Sequence, residues 1–379
     1  MVRPTHAVVD LHDLTANYRA IRELLDAGAG ASAPRIIAVI KANAYGHGAS
    51  RVAQALEREA AERRVSPPLL ACADIEEGVE LRAAGVGAPI LVFGALSVSD
   101  LDGVFEHDLT PTVSSPAAAR ALQEAAAARD VRLGVHLKID TGMNRFGFRH
   151  DNLGATLPGV LRSPHLTVDA VYTHFATAED RDHLLFERQR MRFEAVRAAS
   201  AGLGLAGAWW HAANSAALLR DRRTWYDAVR PGLLLYGIAP PLVDPDLRLR
   251  PVMSLRSRVV AVKGMRRGET AGYGGRFVAP RPLRVALVPA GYADGLDLRL
   301  AGRGSVLVGG VRAPVVAVSM DSLVVDVTAM EANPGDEVVL LGSQGTAHIG
   351  AGDVARTIGT VPHEILCRIG SRIERTYNP

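Results

Sequence analysis

The chain has 379 residues, too many for one small core, and its 22% charged and 48% hydrophobic residues exclude a disordered chain and a helical membrane protein. The formal net charge of +3 comes from basic residues that are scattered rather than gathered on one face among aromatics, so there is no footprint for nucleic acid. No apolar run approaches the ~20 residues that span a bilayer, and the opening "MVRPTHAVVDLHDL" lacks the long apolar segment of a secretory signal. The expected location is the cytoplasm, with no membrane partner. Cys72 and Cys367, each in an apolar segment, are expected to be plain buried thiols, with no disulfide framework and no metal site.

In chain order, a helical segment "LHDLTANYRAIRELLDAG" precedes eight β-like runs: "RIIAVIK", "PLLACAD", "PILVFG", "LTPTVS", "VRLGVHLKID", "VDAVYTHFAT", "AWWHAAN" and "AVRPGLLLYG". Stretches with helical spacing lie between them, such as "GASRVAQALEREAAERR", "IEEGVELRAAG" and "SPAAARALQEAAAARD". Strands that are continuous apolar runs are expected when both faces are covered, as in a parallel sheet. The fold class is therefore α/β, with an N-terminal (β/α)8 TIM-type barrel; on pattern alone, an open doubly wound sheet is the alternative. After "IAPPLVDPDLRLRP" helical periodicity gives way to Val-rich runs between Gly and Pro turns, which predicts a C-terminal mainly β domain. The expected domains are residues 1–245, with the N-terminal segment leading into the barrel, and residues 246–379.

A barrel of this kind builds its site at the C-terminal ends of its strands. The first run ends at Lys41, followed by Tyr45 and His47, and the fifth leads into Lys138, Asp140 and Arg145. The sixth ends with His174, the seventh with His211, Asn214 and Ser215, and the eighth places Arg230 before "PGLLLYG". A lysine partly desolvated near other cations loses its proton more readily and attacks aldehydes. Hydroxyl and backbone donors near the last two strands favour a phosphate. Together these features suggest pyridoxal 5'-phosphate as cofactor.

"AVIKANAYGHG" closely resembles the cofactor-lysine motif of fold-type III pyridoxal-phosphate enzymes, and specifically of the alanine racemase family. "KIDTGMNRFG", "YTHFATAED", "HAANSAA", "VRPGLLLYG", "GYG", "PAGYADG" and "VSMDS" are similar to that family's other signatures, in the same order and across nearly the whole chain. The resemblance implies a homodimer with shared sites, interconverting L- and D-alanine for cell-wall peptide by two opposed acid/base groups. Lys41 would bind the cofactor and serve as one of them, and Tyr273 of the partner subunit as the other. Arg145 would hold the substrate carboxylate, helped by Tyr292 and by Met320 and Asp321 of the partner subunit. Arg230 would face the pyridine nitrogen, His174 would support either Arg230 or Tyr273, and Tyr45, Asn214, Ser215, Gly232 and Leu233 would hold the phosphate end. Lys138 matches a lysine that in relatives can be carbamylated to neutralise the arginine.

The chemistry agrees with these implied roles. Inverting a carbon needs a proton carrier on each face, and an arginine at the ring nitrogen keeps its own proton. One departure is His363, which stands where the family has a gate tyrosine beside the substrate's side chain; it motivates an alternative, a racemase with broader choice such as serine. A fold-type III decarboxylase and a non-catalytic cofactor carrier are further alternatives. The first lacks its expected late Cys-bearing loop, and the second does not account for the β domain.

Overall fold

The computed structural model describes residues 3–28, 32–94, 96, 98–240 and 247–378. Eight parallel strands, Arg35–Val39, Leu69–Cys72, Ile90–Val92, Leu109–Val113, Leu133–Asp140, Leu166–Tyr172, Trp209–Asn214 and Ala228–Arg230, pair in sequence. The last returns to the first through Ala228 opposite Arg35. This closure excludes the open-sheet alternative. The strands are buried runs because helices cover them outside and side chains fill them inside. The helices begin where the sequence provides caps: Asp74 accepts the Glu77 amide, and Ser115 precedes Pro116 and accepts the Ala118 amide.

The eighth strand is shorter than its apolar run. It stops at Arg230, because Pro231 has no N–H for a ladder, and the chain turns through Gly232 to Gly237 with Leu235, Tyr236 and Gly237 donating to carbonyls three residues back. The turn places backbone amides at the barrel mouth, where a continued strand would have used them in pairing.

The second unit is a ten-stranded, mostly antiparallel sheet. Its hairpin Ser305–Val308 to Val311–Val318 turns on Gly309 and Gly310, at φ 58 and 78, values that glycine reaches without a Cβ clash. The N-terminal strand His6–Asp10 belongs to this sheet, antiparallel to Met253–Arg258 and parallel to the final strand Glu374–Asn378. The expected boundary at 245/246 lies outside the described residues. Two helices, Ala351–Ile358 and Pro362–Cys367, interrupt the β pattern, and the second packs against residues 41–45, so a segment more than 300 residues away reaches the barrel mouth. Leu366 takes that helix's core-facing side, so Cys367 is exposed, contrary to the expected buried thiol, whereas Cys72 is buried.

Candidate active site

Lys41 follows the first strand and opens a turn of unusual hand. Ala42, Asn43, Ala44 and Tyr45 have φ of 53, 52, 54 and 52, all in the left-handed region. Each non-glycine residue there costs ~1–2 kcal/mol, or roughly 4–8 kcal/mol for the run. Specific contacts hold it. Gly46 N–H donates to Ala42 O at 3.0 Å, Asn43 Oδ1 accepts Ala49 N–H at 2.8 Å, and Arg375 Nε donates to Gly46 O at 2.6 Å. His47 Nδ1–H donates to Ala44 O at 2.8 Å and Tyr45 O at 3.0 Å, with its ring stacked on Tyr236 at 4.4 Å. Burial pushes His47 down to about 4, so it is a neutral donor. The outcome is that Lys41 and Tyr45 both enter one cavity.

That cavity, of about 600 Å³, lies at the C-terminal mouth of the barrel. It is lined by Lys41, Tyr45, Lys138, Arg145, His174, Asn214, Ser215, Arg230, Gly232, Leu233 and His363, each expected there from the sequence. Burial, then the nearby Arg145, lowers the Lys41 pKa, and the same causes bring Lys138 to about 7. Lys138 Nζ lies 5.4 Å from the Tyr172 ring centre, an apolar face that accepts a cation or a neutral amine.

Arg230 is 3% exposed, and burial lowers it to about 10. Its guanidinium donates to His211 Nδ1 at 2.8 Å, Thr173 O at 2.7 Å and Ala212 O at 2.8 Å, and approaches His174 Nδ1 at 3.4 Å. A guanidinium only donates, so His211 accepts through Nδ1 and carries its proton on Nε2, which faces His136 Nδ1 at 3.2 Å. Both imidazoles are held neutral by burial and by the charge on Arg230.

Arg145 sits on a loop organised by Asp140, whose Oδ1 accepts the amides of Gly142, Met143 and Asn144 at 2.9, 3.0 and 3.1 Å. Asn144 has φ 54, which explains why glycine or asparagine suits this position. Below the loop, the buried Gln189 joins Thr141 to the His174 carbonyl, tying the fifth strand end to the sixth.

Ser215 Oγ accepts Gly232 N–H at 2.9 Å and approaches Leu234 N–H at 3.4 Å, joining the seventh and eighth strand ends. A Cβ on Gly232 would lie 2.5 Å from the Tyr45 hydroxyl, so glycine is required for Tyr45 to reach this corner. Asn214 caps the short helix that follows by accepting Ala217 N–H at 2.9 Å, and so orients Ser215. His363 lies 5.6 Å, ring centre to ring centre, from Tyr45.

Of the strand-end residues named from the sequence, His47, Asp140 and His211 support the cavity without lining it. Four residues given substrate or proton-transfer roles lie away from the cavity of their own chain. Tyr273, Tyr292 and Met320 are 79%, 38% and 50% exposed, and Asp321 pairs with Arg372 at 2.7 Å. They lie near one another on loops and turns of the second unit: Tyr292 N–H donates to Ser319 O at 3.0 Å, Ala293 N–H to Met320 O at 3.0 Å, and a Cβ on Gly272 would be 2.8 Å from Ala317. Asp140 was named at the fifth strand end without a role, whereas Gln189, Thr173 and His136 were not foreseen. His136 alone had a readable signal, since it lies two residues before Lys138 on one strand and so points to the same side.

Strand ends that gather lysines, arginines and a hydroxyl-lined corner at one end of a closed barrel define an enzyme that handles small anionic molecules. Residues 9–240 match the family model "Alanine racemase, N-terminal domain", and residues 252–377 match "Alanine racemase, C-terminal domain". The chain is 40% identical to the alanine racemase of Carboxydothermus hydrogenoformans over 99% of this chain and 100% of that one, and 41% identical to that of Sorangium cellulosum over 99% of both. Its fold superposes on the crystal structure of alanine racemase from D-cycloserine-producing Streptomyces lavendulae with a TM-score of 0.90 at 32% identity, covering 100% of this chain and 98% of that one. The chain belongs to the alanine racemase family, a family of isomerases. These relatives favour racemisation of alanine over the serine, decarboxylase and carrier alternatives.

Proposed function

We propose that this chain interconverts L- and D-alanine with pyridoxal 5'-phosphate at the barrel mouth, as a homodimer in which the partner subunit's exposed face completes each site. The observation that carries the reading is the convergence of Lys41, Tyr45, Arg145, Ser215, Arg230 and Gly232 on one cavity from separate strand ends. The corner between Tyr45, Ser215, Gly232 and Leu233, kept free of a side chain at Gly232, fits a phosphate group. Arg230 would hold the ring nitrogen, bordered by His174, with Asn214 orienting the phosphate corner. When bound, the cofactor supplies an aldehyde for the substrate amine and a conjugated ring that withdraws electrons from the α-carbon.

Lys41, whose ammonium is disfavoured by burial and by Arg145, takes a proton from one face of that carbon or returns one to it. Tyr273 of the partner subunit serves the other face, and the exposure of Tyr273, Tyr292 and Met320 on a contiguous surface supports such docking. Arg145 receives the substrate carboxylate, bordered by Tyr292, Met320 and Asp321 of the partner subunit, while His363 stands at the side-chain end. Arg230 keeps its proton, because its hydrogen-bonding partners are neutral imidazoles and carbonyls. Lys138, with its pKa lowered to about 7, is unprotonated in about half the molecules at pH 7 and would then take up carbon dioxide as a carbamate, releasing a proton, and balance Arg145.

On this reading the barrel lies within residues 1–245 and the β domain is built from 246–379 together with the strand His6–Asp10, and the two would meet across the dimer. No helix among the described residues is long and apolar enough to cross a membrane, and we place the enzyme in the cytoplasm, supplying D-alanine to peptidoglycan. The test is mixing. K41A and Y273F should each lose racemisation of L-alanine, followed by optical rotation in the presence of the cofactor. Unfolding and refolding the two together should restore activity, since a mixed dimer has one intact site. Absence of any recovery, with mixed dimers present by mass, would refute the shared site.

A further inference from the structure

Glu77 lies outside the cavity and has none of the roles assigned above. It is in the first turn of the helix Ile75–Ala83, where Asp74 already accepts its backbone amide at 3.0 Å. A carboxylate at such a position ordinarily serves its own helix end. Here it reaches outward: Oε2 accepts Ala73 N–H at 2.7 Å, just past the second barrel strand, and Oε1 accepts Ala42 N–H at 2.5 Å, the residue after Lys41.

The Ala42 amide opens the left-handed run, and the turn's own bonds begin later, with Ala44 N–H donating to Ile40 O and Gly46 N–H to Ala42 O. Glu77 thus supplies the partner for a donor at the start of the strained segment, and it anchors that segment to the neighbouring strand end. We infer that Glu77 is the positioning residue for Lys41: by clamping Ala42 N–H to the second strand end, it fixes the left-handed turn and aims the lysine into the cavity. The inference rests on the reading of Lys41 as the cofactor lysine. Its neighbour Glu76, exposed in the same first turn, makes no such reach and provides the control.

The experiment uses the full-length protein with E77A, E77Q and E76A. Each is incubated with pyridoxal 5'-phosphate, reduced with borohydride at set times and digested, and the pyridoxyl group is mapped by mass spectrometry per folded molecule. Alanine kinetics and hydrogen exchange at Ala42 are measured alongside. A lysine displaced by about 1 Å loses on the order of a hundredfold in rate, the loss expected in E77A for both labelling of Lys41 and kcat. KM should move little, because Glu77 lines no part of the cavity. E77Q keeps one acceptor but turns an amide N–H toward one of the two donors, so it should fall between E77A and the wild type. Ala42 exchange should quicken in both, and E76A should match the wild type.

A general loss of stability would lower the unfolding midpoint without slowing labelling per folded molecule, and that result would overturn the inference. So would wild-type labelling and kcat in E77A or, if E77A does not fold, in E77Q. If the wild-type protein itself is not labelled at Lys41, the functional reading fails, and this inference with it; labelling at Lys41 that is unaltered in the Glu77 variants sinks this inference alone.

Discussion

Replacing Gly232 by alanine isolates the corner assigned to the phosphate. Gly232 is not among the positive-φ residues, so an alanine backbone is allowed there and the perturbation is steric. Its Cβ would lie 2.5 Å from the Tyr45 hydroxyl and 3.1 Å from Cζ, whereas ordinary contact begins near 3.4 Å, so the hydroxyl must retreat by about 0.9 Å. Tyr45 cannot do this freely. It is 6% exposed, with the Tyr236 ring at 5.1 Å and the His363 ring at 5.6 Å. Overpacking of a tight site costs ~1–3 kcal/mol, which corresponds to roughly 5- to 150-fold in cofactor affinity. Titrating the cofactor-free protein with pyridoxal 5'-phosphate, followed by tryptophan fluorescence, measures the loss directly. Tyr45→Phe removes the nearest contact, so G232A should cost less in the Y45F background than alone. Unchanged affinity in G232A, or strictly additive effects, would refute the reasoning that Gly232 makes room for the Tyr45 hydroxyl.

Other perturbations give separate readings. Lys138 has a folded-state pKa of about 7 against an ordinary 10.5, so between those values the unfolded chain holds more protons and stability rises with pH. K138M in the cofactor-free protein should therefore be the more stable form at pH 7, with its advantage shrinking toward pH 10; a denaturation difference that does not vary with pH would count against this. Arg230→Lys leaves acceptors at His211, Thr173 and Ala212 that one ammonium cannot serve together. It should lower stability by ~2–4 kcal/mol in urea unfolding, and an unchanged midpoint would contradict the fork of contacts. Asn144→Ala should cost ~1 kcal/mol at φ 54 while Asn144→Gly costs less, because only alanine carries the left-handed penalty; equal midpoints would argue against the turn.

The barrel was legible because its strands are unbroken apolar runs, and the site because polar residues collect where those runs stop. That logic carried Lys41, Arg145, His174, Ser215 and Arg230 to one cavity without any knowledge of distances. It overextended the eighth strand, since "LLLY" reads as a strand until Pro231 and Gly232 are given more weight than apolarity. It missed the strand His6–Asp10, whose partners Met253–Arg258 lie far along the chain and whose pattern is too short to stand alone. The left-handed turn had no local signal either. Ala-Asn-Ala-Tyr contains no glycine, and the groups that hold it, Glu77, His47 and Arg375, come from three places in the sequence. Local preference is readable from a single chain, whereas a conformation held against local preference is visible only once its partners are placed.

The charge at the mouth ties these observations together. Lys41, Lys138, Arg145 and Arg230 surround one cavity, and the two arginines disfavour the charge on both lysines. Glu179 and Asp180 are the carboxylates in its lining, and Arg230, lowered by burial only to about 10, keeps its charge near pH 7. The residual repulsion therefore falls on the lysines, the groups able to relieve it by losing a proton. On the proposed reading that loss would serve Lys41, since an unprotonated amine is needed to engage an aldehyde and to accept a proton from carbon. A phosphate in the Tyr45–Ser215 corner and a carboxylate at Arg145 would offset the surplus positive charge, and Lys138 is the group whose protonation can adjust to what remains. On the proposed reading, the same crowding of cations would favour a phosphate-bearing cofactor and an amino-acid carboxylate over an uncharged amine.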